Sequence, residues 1–156
     1  MLLEYFQMVD QVEQLDLEAR TVRALCHVPL ESPVFAGHFP GYPILPGVLM
    51  VETIAQTGGW LLMAMAHFER MAFLAQVREA KLRSFVTPGQ ALLAEARLLH
   101  DGSGYAVASG RIISEGKTVA DAELTYRLLP FPNEGLRQRM LETARRVAVP
   151  TQVLDG

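Results

Sequence analysis

The longest apolar run of the chain covers residues 48–68, "VLMVETIAQTGGWLLMAMAHF". Apolar side chains occupy almost every face of a helix drawn on this run, which is typical of a helix buried on nearly all sides. Pro46 stands just before the run, where the missing N–H of a proline costs little. A membrane span is the alternative, but Glu52, Gln56 and other polar residues interrupt the run. The pattern therefore favours a core helix of roughly 20 residues, about 30 Å long.

Short apolar segments divided by turn residues follow this helix. The turns stand at residues 87–90, 101–104 and 115–117, where glycine, proline, serine and acidic residues cluster. Their near-regular spacing predicts a meander of about four antiparallel strands over residues 71–129. A long helix followed by such strands predicts an α+β fold with the sheet wrapped around the helix.

The segments before the helix give weaker signals. Residues 2–9 mix apolar and acidic positions, which suits a short helix or an extended entry. Residues 12–28 are rich in valine, leucine, threonine and alanine, and the partial alternation in "ARTVRALCHVPL" predicts a strand. Residues 29–47 are rich in proline and glycine, so we predict a structured loop there rather than a regular element.

The last part of the chain has a different composition. We predict one domain over residues 1–130 and a C-terminal helical extension over residues 131–156. Helical spacing places apolar residues on one side of the extension and arginines on the other. The apolar set is Leu136, Met140, Leu141, Ala144 and Val147, and the basic set is Arg137, Arg139, Arg145 and Arg146. Two interpretations stay open: a covering helix with a solvated basic face, or a docking surface for an acidic partner.

Composition and charge narrow the class of protein. The chain has 156 residues, 50% of them hydrophobic, a length that suits one domain with a substantial core. Its net charge of −3 provides no basic field for nucleic acid. Cys26 is the single cysteine, so an intramolecular disulfide and a cysteine-based metal cluster are excluded. The N-terminus has no basic region of the secretory kind, and we expect a cytoplasmic protein.

Glu52 is the most unusual residue of the predicted core helix. A carboxylate among apolar side chains is costly unless it is paired, hydrogen-bonded or protonated. Burial favours the neutral form of a carboxyl group, and a neutral carboxylic acid is a competent proton donor. Gln56 lies one helical turn further on, close enough to orient the carboxyl group by a hydrogen bond.

His38 supplies a complementary base just before the helix. Gly37 and the pair Phe39-Pro40 flank it and would fix its backbone, leaving the ring facing a cavity. The backbone N–H of Gly47, at the start of the helix, would polarise a carbonyl oxygen. Base, acid and backbone donor together suit the elimination of water from a 3-hydroxyacyl thioester. A hydrogen-bonded core histidine and a glutamate bonded to neighbouring backbone remain the alternative interpretation.

The segment "FAGHFPGYPILPGVLMVETIAQ", residues 35–56, resembles the signature of FabZ-type 3-hydroxyacyl-[acyl-carrier-protein] dehydratases. The similarity continues in "FQMVDQV" at residues 6–12 and in "KLRSFVTPGQAL" at residues 81–92. It therefore covers roughly residues 5–127. The resemblance implies a hot-dog fold, in which a curled antiparallel sheet wraps around one long helix.

The resemblance also implies roles for individual residues. His38 would be the base and Glu52 the acid, contributed by opposite subunits of a dimer, and dimers would commonly join into hexamers. A related family with an additional isomerase activity has aspartate at the position of Glu52. The glutamate here therefore favours dehydration without isomerisation. The N–H of Gly47 would hold the thioester carbonyl. Further substrate contacts are expected from Phe39, Pro40, Val48 and Gln56.

The expected partner is an acidic acyl carrier protein, whose phosphopantetheine arm would deliver the acyl chain into an apolar tunnel. Lys81 and Arg83 could meet the carrier near the mouth, although ordinary solvated strand charges account for them equally well. No metal or organic cofactor is expected.

Some positions depart from the pattern that the resemblance implies. Gln7 stands where an apolar residue is usual, Ser84-Phe85 replaces an Arg-Pro pair, and Gln90 replaces an aspartate. Two other functions stay open, namely a hot-dog acyl thioesterase and a non-catalytic subunit that only holds the acyl carrier.

Overall fold

The structure is a computed structural model that describes residues 1–150 and 152. The described residues form one antiparallel sheet with the order β1-β2-β4-β5-β6-β3. The strands are β1 (Gln11–Asp16), β2 (Thr21–His27), β3 (Arg70–Leu82), β4 (Ala91–Asp101), β5 (Tyr105–Ser114) and β6 (Lys117–Pro130). The helices are α1 (Pro33–Gly37), α2 (Gly47–Met65) and α3 (Glu134–Arg146), and a 3₁₀ turn covers Leu3–Tyr5.

The sheet curls around α2 as the α+β prediction expects, and β2, β4, β5 and β6 bury inward-facing residues on the helix side. In β2 and β4 the buried positions alternate, and many of them are alanine. Small inward side chains let the sheet approach the helix closely. At Gly58 a β-carbon would lie 2.6 Å from the hydroxyl oxygen of Tyr126, so the helix needs glycine at that contact.

The core helix buries 13 of its 19 residues. It is long and apolar enough to cross a membrane, but 72% of its most apolar window is buried inside the protein, as in the core helix of a globular fold. Two buried threonines are satisfied by the helix itself. The hydroxyl of Thr53 donates to the carbonyl of Leu49 at 2.7 Å, and that of Thr57 donates to the carbonyl of Thr53 at 2.8 Å.

Two local predictions are wrong, and a third is incomplete. The predicted strand is confirmed as β2, but residues 12–28 also hold most of β1, because the chain turns at residues 17–20. The proline-rich loop contains the short helix α1, which Pro33 and the capping residue Ser32 begin. The meander contains only β4, β5 and β6, while β3 pairs with β6 at the far edge of the sheet.

The C-terminal helix α3 packs on the same core. Its side chains Leu141 and Ala144 are buried. The guanidinium of Arg137 donates to the carbonyl of Phe68 at 2.8 Å, so at least one of the predicted solvated arginines anchors the helix instead. These contacts favour the covering-helix interpretation, and the division of the chain at residue 130 stays a prediction.

Candidate active site

His38 is placed by a tightly hydrogen-bonded loop after α1. The backbone groups of Phe39 and Tyr42 bond each other at 2.9 and 2.8 Å, and the N–H of Leu45 donates to the carbonyl of Val86 at 2.7 Å. The ring nitrogen Nδ1 of His38 lies 3.0 Å from the carbonyl oxygen of Ile44. A carbonyl oxygen only accepts, so this bond places the proton on Nδ1 and leaves Nε2 free to act as a base.

We name the cavity beside this ring the histidine cavity. It has a volume of about 510 Å³. It is lined by His38, Phe39, Ile44, Leu45, Gly47, Met50, Leu82, Arg83, Ser84 and Phe85. The His38 ring is half-buried and stacks on Phe39, with 4.0 Å between the ring centroids. The cavity therefore combines one titratable ring with largely apolar walls.

Gly47 begins α2 directly after Pro46, at the edge of the histidine cavity. The N–H groups of a first helical turn have no partner within the helix, and the helix dipole adds positive potential there. A β-carbon at this position would collide with the side chain of Leu82. The absence of a side chain at Gly47 thus makes room for Leu82, which also lines the cavity.

Glu52 lies one and a half turns into α2, where it is half-buried rather than enclosed. The amide of Gln56 donates to Oε1 of Glu52 at 2.9 Å, as the helical spacing predicts. Gln56 also donates to the carbonyl of Phe6 at 2.6 Å and accepts from the N–H of Met8 at 3.0 Å. Gln56 therefore ties the carboxyl group to the N-terminal segment and restricts its orientation.

Glu52 lines a second cavity, which we name the glutamate cavity and which has a volume of about 330 Å³. Its walls come from the N-terminal segment, α2, β3, β6 and α3. They comprise Phe6, Gln7, Glu52, Ala55, Gln56, Gly59, Trp60, Met63, Met71, Ala72, Leu74, Tyr126, Met140 and Thr143. The lining is apolar apart from a few polar groups, which suits a hydrophobic chain ending beside a carboxyl group.

Tyr126 forms the floor of the glutamate cavity. Its hydroxyl donates to the carbonyl of Ala55 at 2.9 Å. Burial, and to a smaller extent the negative charge of Glu52, raise the pKa of Tyr126 well above its ordinary value. Tyr126 is therefore neutral at physiological pH, and its hydroxyl bonds the backbone of α2. Among residues 1–150 and 152, the indole N–H of Trp60 is a buried side-chain group without a hydrogen-bond partner.

The sequence-predicted residues divide between the two cavities. His38, Phe39, Gly47 and Arg83 line the histidine cavity, whereas Glu52 and Gln56 line the glutamate cavity. Of the remaining predicted residues, Pro40, Val48 and Lys81 lie on the exposed surface of the described chain, with Val48 74% exposed. Within a single chain, the candidate base and the candidate acid therefore lie in different cavities.

The edge strand β3 connects the two cavities. Its first half contributes Leu74 to the glutamate cavity, and its end contributes Leu82 to the histidine cavity. Leu74, Val77 and Leu82 are 41%, 43% and 52% exposed. In β6 they lie opposite three fully buried residues, Tyr126, Leu124 and Ala120. Directly opposed residues share a sheet face, so β3 carries an inward apolar face that the single chain leaves uncovered.

A third depression, of about 600 Å³, lies on the outer face of the sheet. Its charged groups bond each other: Glu95 accepts from Arg23 at 2.9 Å and from Arg111 at 2.8 Å. The hydrogen bond from Arg23 is the main cause that lowers the pKa of Glu95. These paired charges stabilise the outer face, and we assign no chemistry to this depression.

Comparison with known proteins decides the family. Residues 1–123 match the family model described as the FabA-like domain. The 3-hydroxyacyl-[acyl-carrier-protein] dehydratase FabZ of Enterococcus faecalis is 39% identical over 124 residues, which cover 79% of this chain and 87% of that protein. The chain belongs to the FabZ-type dehydratase family. The resemblance stated from the motif is therefore confirmed.

Solved structures confirm the hot-dog fold expected of a FabZ-type chain. The dehydratase heterocomplex ApeI:P from Xenorhabdus doucetiae matches with a TM-score of 0.65 and 19% identity, over 86% of this chain and 90% of that chain. A thioesterase from Haemophilus influenzae matches with a TM-score of 0.60 and 15% identity, over 78% and 79%. At these identities the likeness concerns the fold alone.

The sequence reasoning missed several residues that line the glutamate cavity. Tyr126 comes from β6, and Met140 and Thr143 come from the helix beyond the family match. No motif marks them, because they reach the glutamate cavity only through the pairing of β3 with β6 and the packing of α3. Two departures from the family pattern gain a structural role: the carboxamide of Gln7 accepts from Arg146 at 3.1 Å, and that of Gln90 holds the turn at Thr87.

Potential metal ligands are scattered over the described part of the chain. Among residues 1–150 and 152, no three histidine, cysteine, aspartate or glutamate side chains converge on one point where they could hold a metal ion. Cys26 is buried, and burial raises the pKa of its thiol to about 12. The thiol is therefore a structural group at neutral pH.

Proposed function

We propose that this chain dehydrates (3R)-3-hydroxyacyl-acyl-carrier-protein to the trans-2-enoyl thioester, with His38 as base and Glu52 as acid. Membership of the FabZ-type family supports the reaction. The observation that carries the assignment of residues is the placement of His38 with Gly47 in one cavity and of Glu52 in another, joined by the uncovered apolar face of β3.

A two-fold dimer would bring the two residues together. An isologous pairing of two β3 strands runs them antiparallel, so the beginning of one strand meets the end of the other. The beginning of β3 borders the glutamate cavity, and its end borders the histidine cavity. Each glutamate cavity would therefore open onto the partner's histidine cavity, and two complete sites would form at the interface. Pairing would also cover Leu74, Val77 and Leu82.

The proposed reaction uses each group once. The free Nε2 of His38 takes the proton from the carbon beside the thioester carbonyl. The N–H of Gly47 stabilises the negative charge that develops on the carbonyl oxygen. The electron pair of the broken C–H bond forms the new double bond as the C–O bond at the third carbon breaks. Glu52 donates a proton to the departing hydroxyl, which leaves as water, and solvent returns the proton from His38 to Glu52.

The same proposal extends to the carrier protein, the oligomeric state and the cellular compartment. The histidine cavity opens beside Arg83, which is half-exposed and bonds Asp121 at 2.6 Å, so its charge is partly compensated. We propose Arg83, together with the exposed Lys81, as contacts for an acidic acyl carrier protein. We further propose that the protein is a cytoplasmic homodimer that assembles into hexamers.

The experiment that tests this function assays one purified sample in two ways. The hydration of a trans-2-enoyl thioester is followed by its ultraviolet absorbance, and the release of free thiol is followed with a chromogenic disulfide. We expect rapid hydration and negligible thiol release. Thiol release that exceeds hydration would instead assign a thioesterase, and binding of acyl carrier protein with neither reaction would assign a non-catalytic subunit.

A further inference from the structure

The wall of the glutamate cavity includes a part of the chain that the family match does not reach. The match ends at residue 123, whereas Met140 and Thr143 belong to α3. These two residues are spaced by three, so they lie on one face of the helix and both contribute to the cavity. The far wall of this cavity is therefore a feature of this chain's C-terminal segment.

Hydrogen bonds hold that wall in place on both sides. At the end of α3, Arg146 donates to the carboxamide of Gln7, a residue that itself lines the cavity. Directly after the helix, the carbonyl of Val147 accepts from the N–H of Val12 at 2.6 Å. At the start of α3, the bond from Arg137 to the carbonyl of Phe68 fixes the other end. The helix cannot swing away without breaking these contacts.

The direction of the cavity suits the tail of an acyl chain. From Glu52 to Met63 the helix α2 rises about 16 Å over 11 residues, and both residues line the cavity. On the proposed function, Glu52 stands at the third carbon of the substrate, so the remaining carbons extend from it toward Met63 and α3. Met63, Met71 and Met140 line this cavity, and their flexible thioethers fit irregular apolar groups.

We propose that Met140 and Thr143 of α3 set the upper limit on the length of the acyl chain. This inference rests on the proposed function, because it needs the substrate tail to pass Glu52. The two side chains act by forming one wall of the cavity: a longer chain that presses on this wall would have to displace a helix that is anchored at both ends. They are specificity residues and take no part in proton transfer.

The test compares two variants of opposite effect in the full chain. Thr143→Leu fills part of the cavity, and Met140→Ala enlarges it. Glu142→Ala, an exposed position between them, is the matched control. For each protein, kcat/KM is measured on carrier-linked 3-hydroxybutanoyl, 3-hydroxyoctanoyl and 3-hydroxyhexadecanoyl chains, and the melting temperature is recorded.

We expect Thr143→Leu to lower kcat/KM for the longest accepted chain by about tenfold or more while turnover of 3-hydroxybutanoyl is retained. Met140→Ala should raise the ratio of long-chain to short-chain turnover, and Glu142→Ala should leave the ratio unchanged. An unchanged ratio in both cavity variants would overturn the proposal. If one variant does not fold, the other decides.

A second readout separates this proposal from the proposed function. Calorimetric binding of hexadecanoyl-coenzyme A and butanoyl-coenzyme A to the same variants needs no turnover. Absence of turnover in the unmodified protein would overturn the dehydratase assignment. The proposal on chain length would then be supported if Thr143→Leu still weakened the binding of hexadecanoyl-coenzyme A selectively. It would be contradicted if both ligands bound all variants equally.

Discussion

The histidine cavity and the glutamate cavity are built in different ways. The histidine cavity takes its chemical groups from one short stretch, in which loop hydrogen bonds fix His38 and a helix start exposes the Gly47 N–H. The glutamate cavity draws side chains from five parts of the chain, including α3. On the proposed function, the chemistry of this protein is therefore encoded locally, whereas the shape of its substrate pocket is encoded by long-range packing.

The largest expected effect comes from removing either chemical group. His38→Ala removes the base, and Glu52→Gln leaves an amide that cannot deliver a proton, so each should lower kcat by about 10²–10⁴-fold. Steady-state kinetics with carrier-linked 3-hydroxyacyl substrate measures the loss. His67→Ala and Glu69→Gln, at exposed positions after α2, are the controls and should retain activity. Near-normal kcat in His38→Ala would remove this residue as the base.

The next prediction concerns β3, which joins the two cavities. Val77→Asp places a charge on the uncovered apolar face, so it should shift the protein from dimer to monomer and abolish most turnover. Light scattering coupled to size-exclusion chromatography measures the mass, and circular dichroism shows whether the monomer is folded. Arg78→Ala, the adjacent position on the opposite face, should remain dimeric. A fully active monomer of Val77→Asp would contradict a site shared between subunits.

A smaller effect is expected where the helix meets the floor of the glutamate cavity. A β-carbon at Gly58 would press on the hydroxyl of Tyr126, so Gly58→Ala should lower the free energy of unfolding by about 1–3 kcal/mol. Removing that hydroxyl relieves the contact, and Gly58→Ala should therefore cost less in a Tyr126→Phe background. Urea unfolding of the four proteins in the cycle measures the coupling. Additive costs would mean that another contact requires the glycine.

The smallest effect belongs to the mouth of the histidine cavity. Arg83→Ala should raise KM several-fold for the carrier-linked substrate and leave turnover of the coenzyme A thioester nearly unchanged, because a charge at the rim of an interface contributes mainly to encounter. Loss of its exposed ion pair with Asp121 should cost less than about 1 kcal/mol of stability. Equal changes in KM for both substrates would argue against a carrier contact.

The sequence predicted the parts of the fold that depend on local pattern. The core helix was recognised because a long apolar run with a proline at its start is typical of a helix buried on nearly all sides. The partner of β3 was predicted wrongly, because strand order depends on contacts between distant residues. β1 was missed because Gln11–Asp16 contains only two apolar residues and the turn at residues 17–20 contains neither glycine nor proline.

The candidate site was predictable to the same extent. The motif of residues 35–56 named His38, Gly47 and Glu52 as candidates, and their roles stay a proposal. The spacing of four residues predicted the bond from Gln56 to Glu52, which the structure contains. Nothing in the sequence marked Met140 or Thr143 as lining residues, because their approach to Glu52 needs the whole sheet between them. In the sequence, Gln7 stood out only as a departure from the family pattern. The structure gives it a role, because its carboxamide accepts a hydrogen bond from Arg146.

The shared site is the central claim, and subunit complementation tests it most directly. His38→Ala and Glu52→Gln proteins are mixed in equal amounts under conditions that allow subunit exchange. Random exchange makes half of the dimers mixed, and each mixed dimer has one site with both groups intact, so activity should recover to about a quarter of the unmodified rate. Mixtures that exchange subunits, as mass spectrometry would show, yet stay as inactive as either parent would contradict the account.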